Sequence, residues 1–152
     1  MTEKTLIDGI DGIRSLNGTV IGPSKAVLLT QEMIEKFCEA VDNDEWIHLD
    51  VERSAASPLG STIAPGMLTQ SFFSTLWFDM VDIRNMNSML FIGSDKVRLV
   101  QPLKCGDSFT MTAKIDSVED KGAGVQVKLG VTWDSVNTGK PVTVGTFVLR
   151  YS

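Results

Sequence analysis

Apolar positions along the chain change their period near its middle, which divides the sequence into a helical half and a stranded half. Thr30 suits a helix N-cap. After Gln31 and Glu32 comes an apolar set at Met33, Ile34, Phe37, Cys38 and Val41. Steps of three and four place that set on one side of a helix and leave Glu32, Glu35, Lys36 and Glu39 in water. The helix should stop at Asp42-Asn43-Asp44, residue types that prefer turns. Residues 1–24 carry Gly9, Gly12, Gly18 and Gly22. They read as an irregular extension with at most a short strand before Pro23, and residues 25–29 read as a strand. Residues 51–56 read as one or two helical turns before a loop at 57–61.

Residues 67–81 are different in kind. Met67, Leu68, Phe72, Phe73, Leu76, Trp77 and Met80 fall on every side of a helix, with Thr69, Ser71, Ser74 and Thr75 between them. A helix apolar all round belongs in a core. From there the period is two: residues 96–100, 108–118, 125–133 and 142–151 alternate. Gly106-Asp107, Lys121-Gly122-Ala123-Gly124 and Asn137-Thr138-Gly139-Lys140 supply the turns. The pattern predicts an α+β domain over residues 1–152, an antiparallel β-sheet meander wrapped around a central buried helix.

Composition narrows the function classes. The 152 residues carry a net charge of -5 with no Lys/Arg cluster, which argues against binding a phosphate backbone and so against nucleic acid. The most apolar stretch, 67–80, is too short for a bilayer and is interrupted by Gln70 and Asp79. The first residues lack the apolar run of a signal peptide, so a cytoplasmic protein is expected, with no membrane partner. Cys38, Cys105 and one histidine cannot assemble a Cys/His zinc set; two reduced thiols and no metal are expected. Gly122, Gly124 and Gly130 do not make a dinucleotide fingerprint and lie in a hairpin, so no cofactor is expected.

His48, the single histidine, is surrounded by Asp42, Asn43, Asp44, Glu45 and Asp50. One reading is a partly exposed turn residue with little core packing. The other is acid–base chemistry, which needs a group titrating near neutrality beside a polar partner. Ile63-Ala64-Pro65-Gly66 likewise has two readings. It starts a helix, or it lets a carbonyl oxygen reach the free N–H groups at that helix's first turn.

From about residue 29 to 151 the chain resembles the MaoC-like hydratases of the hot-dog superfamily, in their nodulation protein N-like branch. The matching stretches are Gln31-Glu32-Met33-Ile34 with Phe37, Trp46-Ile47-His48-Leu49-Asp50, Ile63-Ala64-Pro65-Gly66-Met67-Leu68-Thr69, and Lys96-Val97-Arg98-Leu99-Val100-Gln101-Pro102-Leu103 with Gly106-Asp107. One small sheet leaves edges that invite pairing, so a homodimer or a higher oligomer of dimers is expected; the resemblance implies a hot-dog fold with the site at that dimer interface. It also implies a lyase, an (R)-specific enoyl-CoA hydratase or 3-hydroxyacyl-thioester dehydratase acting on an acyl-CoA or acyl-carrier thioester. The family's histidine matches His48, and its glycine, whose N–H faces the thioester oxygen, matches Gly66, next to Met67. A helix serine that supports the catalytic aspartate in some relatives matches Ser74. That aspartate falls on Asn43, which cannot accept a proton; Asp42, Asp44 and Glu45 are the alternative bases, Glu45 standing where relatives carry Asn or Gln. With Asn43 in that place slow hydration is expected, sped by Asn43→Asp. A non-catalytic acyl-thioester binder is the alternative. A thioesterase ranks last, because the central helix lacks a carboxylate near its start.

Overall fold

In the computed structural model, which describes residues 3–152, regular structure begins at once: β1 (Thr5–Asp8) passes through Gly9, at φ 67°, into α1 (Gly9–Ser15). Ile7 and Ile13 are fully buried. The irregular extension expected over residues 1–24 is therefore corrected. Its order comes from far along the chain, where β4 (Val81–Arg84) pairs in parallel with β1, Thr5 opposite Val81 through Asp8 opposite Arg84. No local period announces such a partner. β2 (Val20–Ile21) and β3 (Val27–Leu28) are two residues each, so the strand expected at 25–29 is shorter than its pattern.

α2 (Gln31–Val41) forms as the spacing predicts, with Thr30 Oγ1 accepting from the Met33 N–H at 3.2 Å and Asp42 closing the helix in the left-handed region at φ 56°. Ile34 and Cys38 enter the core, and burial pushes the Cys38 thiol up from its ordinary pKa. Two short helices follow, α3 (Trp46–Leu49) and α4 (Val51–Ala56), the second capped by Asp50.

The central helix is split. α5 (Gly66–Ser71) and α6 (Phe73–Met80) meet at Phe72, and Val81 already belongs to β4. Leu68, Phe73, Leu76, Trp77 and Met80 are buried, while Met67, Ser71, Ser74, Thr75 and Phe78 are exposed. Burial all round was expected. In this single chain the sheet covers one side only, because it curls around the helix without closing over it.

β5 (Met89–Leu99), β6 (Ser108–Lys121), β7 (Gly124–Ser135) and β8 (Pro141–Tyr151) complete the fold. The sheet runs β2-β6-β7-β8-β5, with β3 also on β6. β6, β7 and β8 are the expected meander, but β5 crosses to lie beside β8 instead of β6. Alternate residues of β6 and β7, from Phe109 to Ile115 and from Val125 to Trp133, face the helix. One polar bond pins helix to sheet: Trp77 Nε1 donates to the Tyr151 hydroxyl at 2.8 Å, and burial pushes that phenol up to about 12. Among the described residues no strand pairs with the outer edge of β5, where Leu90, Phe91 and Ile92 are half exposed. No helix among the described residues is long and apolar enough to cross a membrane.

Candidate active site

His48 is not the partly exposed turn residue that its polar neighbourhood suggests. It lies in α3 at 6% exposure, because the Trp46–Leu49 turn tucks it against the 62–64 segment. Its Nδ1 is 2.7 Å from the Ile63 carbonyl oxygen. A carbonyl only accepts, so Nδ1 carries hydrogen, and in the neutral ring the lone pair is on Nε2. Nε2 faces Glu45 Oε2 at 4.0 Å, one turn earlier. That gap is too long for a hydrogen bond and suits a bridging oxygen.

The other polar residues of the cluster are not brought to the ring. Asn43 Oδ1 accepts from the Glu45 N–H at 3.1 Å, which commits its oxygen to shaping the turn before α3. Asp44 and Glu45 are exposed, and none of Asn43, Asp44 and Glu45 lines the cavity beside His48; Glu45 alone of the three has its carboxylate turned to the ring. That cavity, about 310 Å³, is bounded by His48, Gly66, Thr69, Leu99, Leu103 and Thr143 among others. Gly66 opens α5, so its N–H has no acceptor within the helix. A Cβ there would lie 2.3 Å from Leu99 Cδ1, so Leu99 packs directly over the glycine backbone.

Met67 is 63% exposed and Ser74 is exposed on α6; neither lines this cavity. Thr69 and Thr143, both buried, were not foreseen from the sequence, since isolated threonines in a helix and a strand carry no signal. A second cavity, about 430 Å³, lies at the far end of the central helix, where Asp79 is ion-paired with Lys25 at 2.5 Å. No group of three or more His, Cys, Asp or Glu side chains among the described residues is placed to hold a metal ion.

Comparison with known proteins gives a consistent result. The family profile described as "MaoC like domain" matches residues 14–137. The chain is 32% identical over 145 residues to "3-hydroxyacyl-thioester dehydratase Z" of Mycobacterium tuberculosis, covering 95% of this chain and 96% of that one. It is 31% identical over 151 residues to "Nodulation protein N" of Rhizobium leguminosarum bv. viciae, covering 97% and 91%. The unliganded "R-Hydratase PhaJ1" of Pseudomonas aeruginosa superposes with a TM-score of 0.73 at 18% identity, over 88% of this chain and 79% of that one.

Proposed function

We propose that this chain, which belongs to the MaoC-like family and has its hot-dog fold, interconverts trans-2-enoyl and 3-hydroxyacyl thioesters by adding or removing water, with Glu45 and His48 as its acid–base pair. One observation carries the reading. The Nδ1 bond to Ile63 leaves Nε2 free, 4.0 Å from the Glu45 carboxylate, close enough for one water beside the pair to reach both, and His48 itself lines an apolar cavity together with Gly66.

In hydration, His48 Nε2 accepts a hydrogen bond from one O–H of a water, which keeps that hydrogen, and Glu45 removes the other proton as the oxygen bonds to C3 of the enoyl group. Electrons move through C2 to the thioester oxygen, where the Gly66 N–H stabilises the developing charge. Collapse of the enolate takes the proton back from the Glu45 carboxyl at C2. Dehydration is the reverse. Asn43 holds the turn and handles no proton.

The test follows enoyl absorbance with crotonyl-CoA and 3-hydroxybutyryl-CoA. Glu45→Gln should lose ~10²–10⁴-fold in kcat, the usual worth of a general base. Unchanged turnover in that variant, or faster turnover in Asn43→Asp alone, would remove Glu45 from the role. Binding of the thioester without turnover would favour an acyl-binding protein, and release of free thiol a thioesterase. We also propose a homodimer through the open edge of β5, since a long edge with Leu90, Phe91 and Ile92 half exposed invites pairing. A monodisperse monomer at micromolar concentration in light scattering would exclude it.

A further inference from the structure

We propose that Gln31 and Thr62 act as a positioning pair that holds the His48 ring on the Ile63 carbonyl and so decides which ring nitrogen meets water; this rests on the role given to His48 above. Gln31 is the first residue of α2, and its side chain leaves that helix toward α3. Its Nε2 donates to the backbone carbonyl of His48 at 2.9 Å, and its Oε1 accepts from the Thr62 hydroxyl at 2.5 Å. The His48 carbonyl has no hydrogen to give, so the amide satisfies both neighbours in one orientation only.

Thr62 is 2% exposed and adjoins Ile63. The Ile63 oxygen accepts from His48 Nδ1 at 2.7 Å, and its N–H donates to the Ile47 carbonyl at 3.1 Å. A closed circuit results, from the His48 carbonyl through Gln31, Thr62 and Ile63 back to the His48 ring. Gln31 thus fixes the distance between the backbone that carries the histidine and the segment that takes its ring proton. That segment runs on through Ala64 and Pro65 to Gly66, so the same circuit sets His48 Nε2 relative to the Gly66 N–H. Neither Gln31 nor Thr62 lines the cavity, which makes them positioning residues and not catalytic ones.

The single histidine makes the test direct. In protein labelled with ¹⁵N-histidine, one pair of ring nitrogen shifts reports the tautomer without any turnover. Thr62→Val removes the hydroxyl at similar volume, and Thr62→Ser keeps it. Gln31→Glu keeps the acceptor for Thr62 but sets a carboxylate against the His48 carbonyl, at a first-turn position where an acid favours the helix and the fold is retained. Above neutral pH, wild type should show hydrogen on Nδ1. Thr62→Val and Gln31→Glu should move both shifts toward a mixture of tautomers and lower crotonyl-CoA kcat by ~10–100-fold, as small misplacements do. KM should stay within about twofold, because neither side chain touches substrate. Thr62→Ser should keep the wild-type shifts and rate. Folded Gln31→Glu protein with the wild-type tautomer and kcat would overturn the proposal. If wild type hydrates no enoyl thioester, the proposed activity fails, and the ring shifts alone still decide the brace.

Discussion

Replacing His48 separates its two nitrogens. In the folded chain its side chain is 8% exposed and its Nδ1 is the partner of a buried carbonyl. His48→Ala leaves the Ile63 oxygen unpaired, at a cost of about 1–3 kcal/mol. It also empties the space of a buried ring, so the total is about 2–4 kcal/mol. Against a typical domain stability of about 5–15 kcal/mol the variant still folds, but weakly. The expectation that this histidine packs little is thereby revised. His48→Asn differs, because its amide nitrogen takes the place of Nδ1 and donates to Ile63, at a net cost of about 1 kcal/mol. In urea, with a slope of about 1–3 kcal/mol per molar, His48→Ala should lower the midpoint by roughly 1–2 M and His48→Asn by less than half of that. Both should lack hydratase activity, since neither supplies Nε2. Equal midpoints would refute the stabilising role of the Ile63 bond, and near-normal turnover in His48→Asn would refute the role of Nε2.

Gly66→Ala should cost little stability, because Leu99 is 60% exposed and can swing away and alanine favours a helix by about 0.5–1 kcal/mol. The displaced Leu99 should crowd the cavity and raise KM, and adding Leu99→Ala should restore it; no restoration would argue against crowding. The Tyr151 pKa is raised above its unfolded value, so its contribution is present below pH about 10 and is lost as pH rises toward about 12. At about 1.4 kcal/mol per unit that loss approaches about 3 kcal/mol, and Tyr151→Phe should flatten this alkaline slope in urea titrations. Ile13→Ala should destabilise by about 2–4 kcal/mol, since its side chain is fully buried; a change under about 0.5 kcal/mol would return the first residues to the status of an extension.

What could be read from the sequence was what is local. Thr30 caps a helix whose buried residues, Ile34 and Cys38, lie on the side the spacing marks, and β6 to β8 alternate as their residues do. These features depend on neighbours within a turn or across a hairpin. The pairing of β1 with β4 and the position of β5 beside β8 depend on partners far away, and no period encodes a distant partner. The central helix misled for another reason. Hydropathy records what Phe78 and Met67 are, but their exposure depends on how far the sheet wraps, which is a property of the folded chain. His48 misled in the opposite sense: its acidic surroundings looked solvated, yet the turn that holds them points the ring inward.

Asn43 and Glu45 show where residue identity stops and geometry must take over. By the family resemblance an acid was expected at 43 and an amide at 45, and the chain carries an amide at 43 and an acid at 45. Position 43 precedes α3, and its side chain is used on the Glu45 N–H. Position 45 is three residues before His48, on the same side of a helical turn, so a carboxylate there meets Nε2 without any backbone change. The exchange keeps one acid and one amide. It follows that Asn43→Asp alone should not accelerate the reaction. Glu45 already supplies the one base that the reaction uses, so a second carboxylate on the same turn adds none. The double exchange, Asn43→Asp with Glu45→Gln, should instead recover much of the kcat that Glu45→Gln loses. The pH–rate profile of crotonyl-CoA hydration for the four proteins would decide it. A double variant as slow as Glu45→Gln would mean that an acid at 43 cannot reach the water in this chain, and that Glu45 serves from a position the family's aspartate does not share.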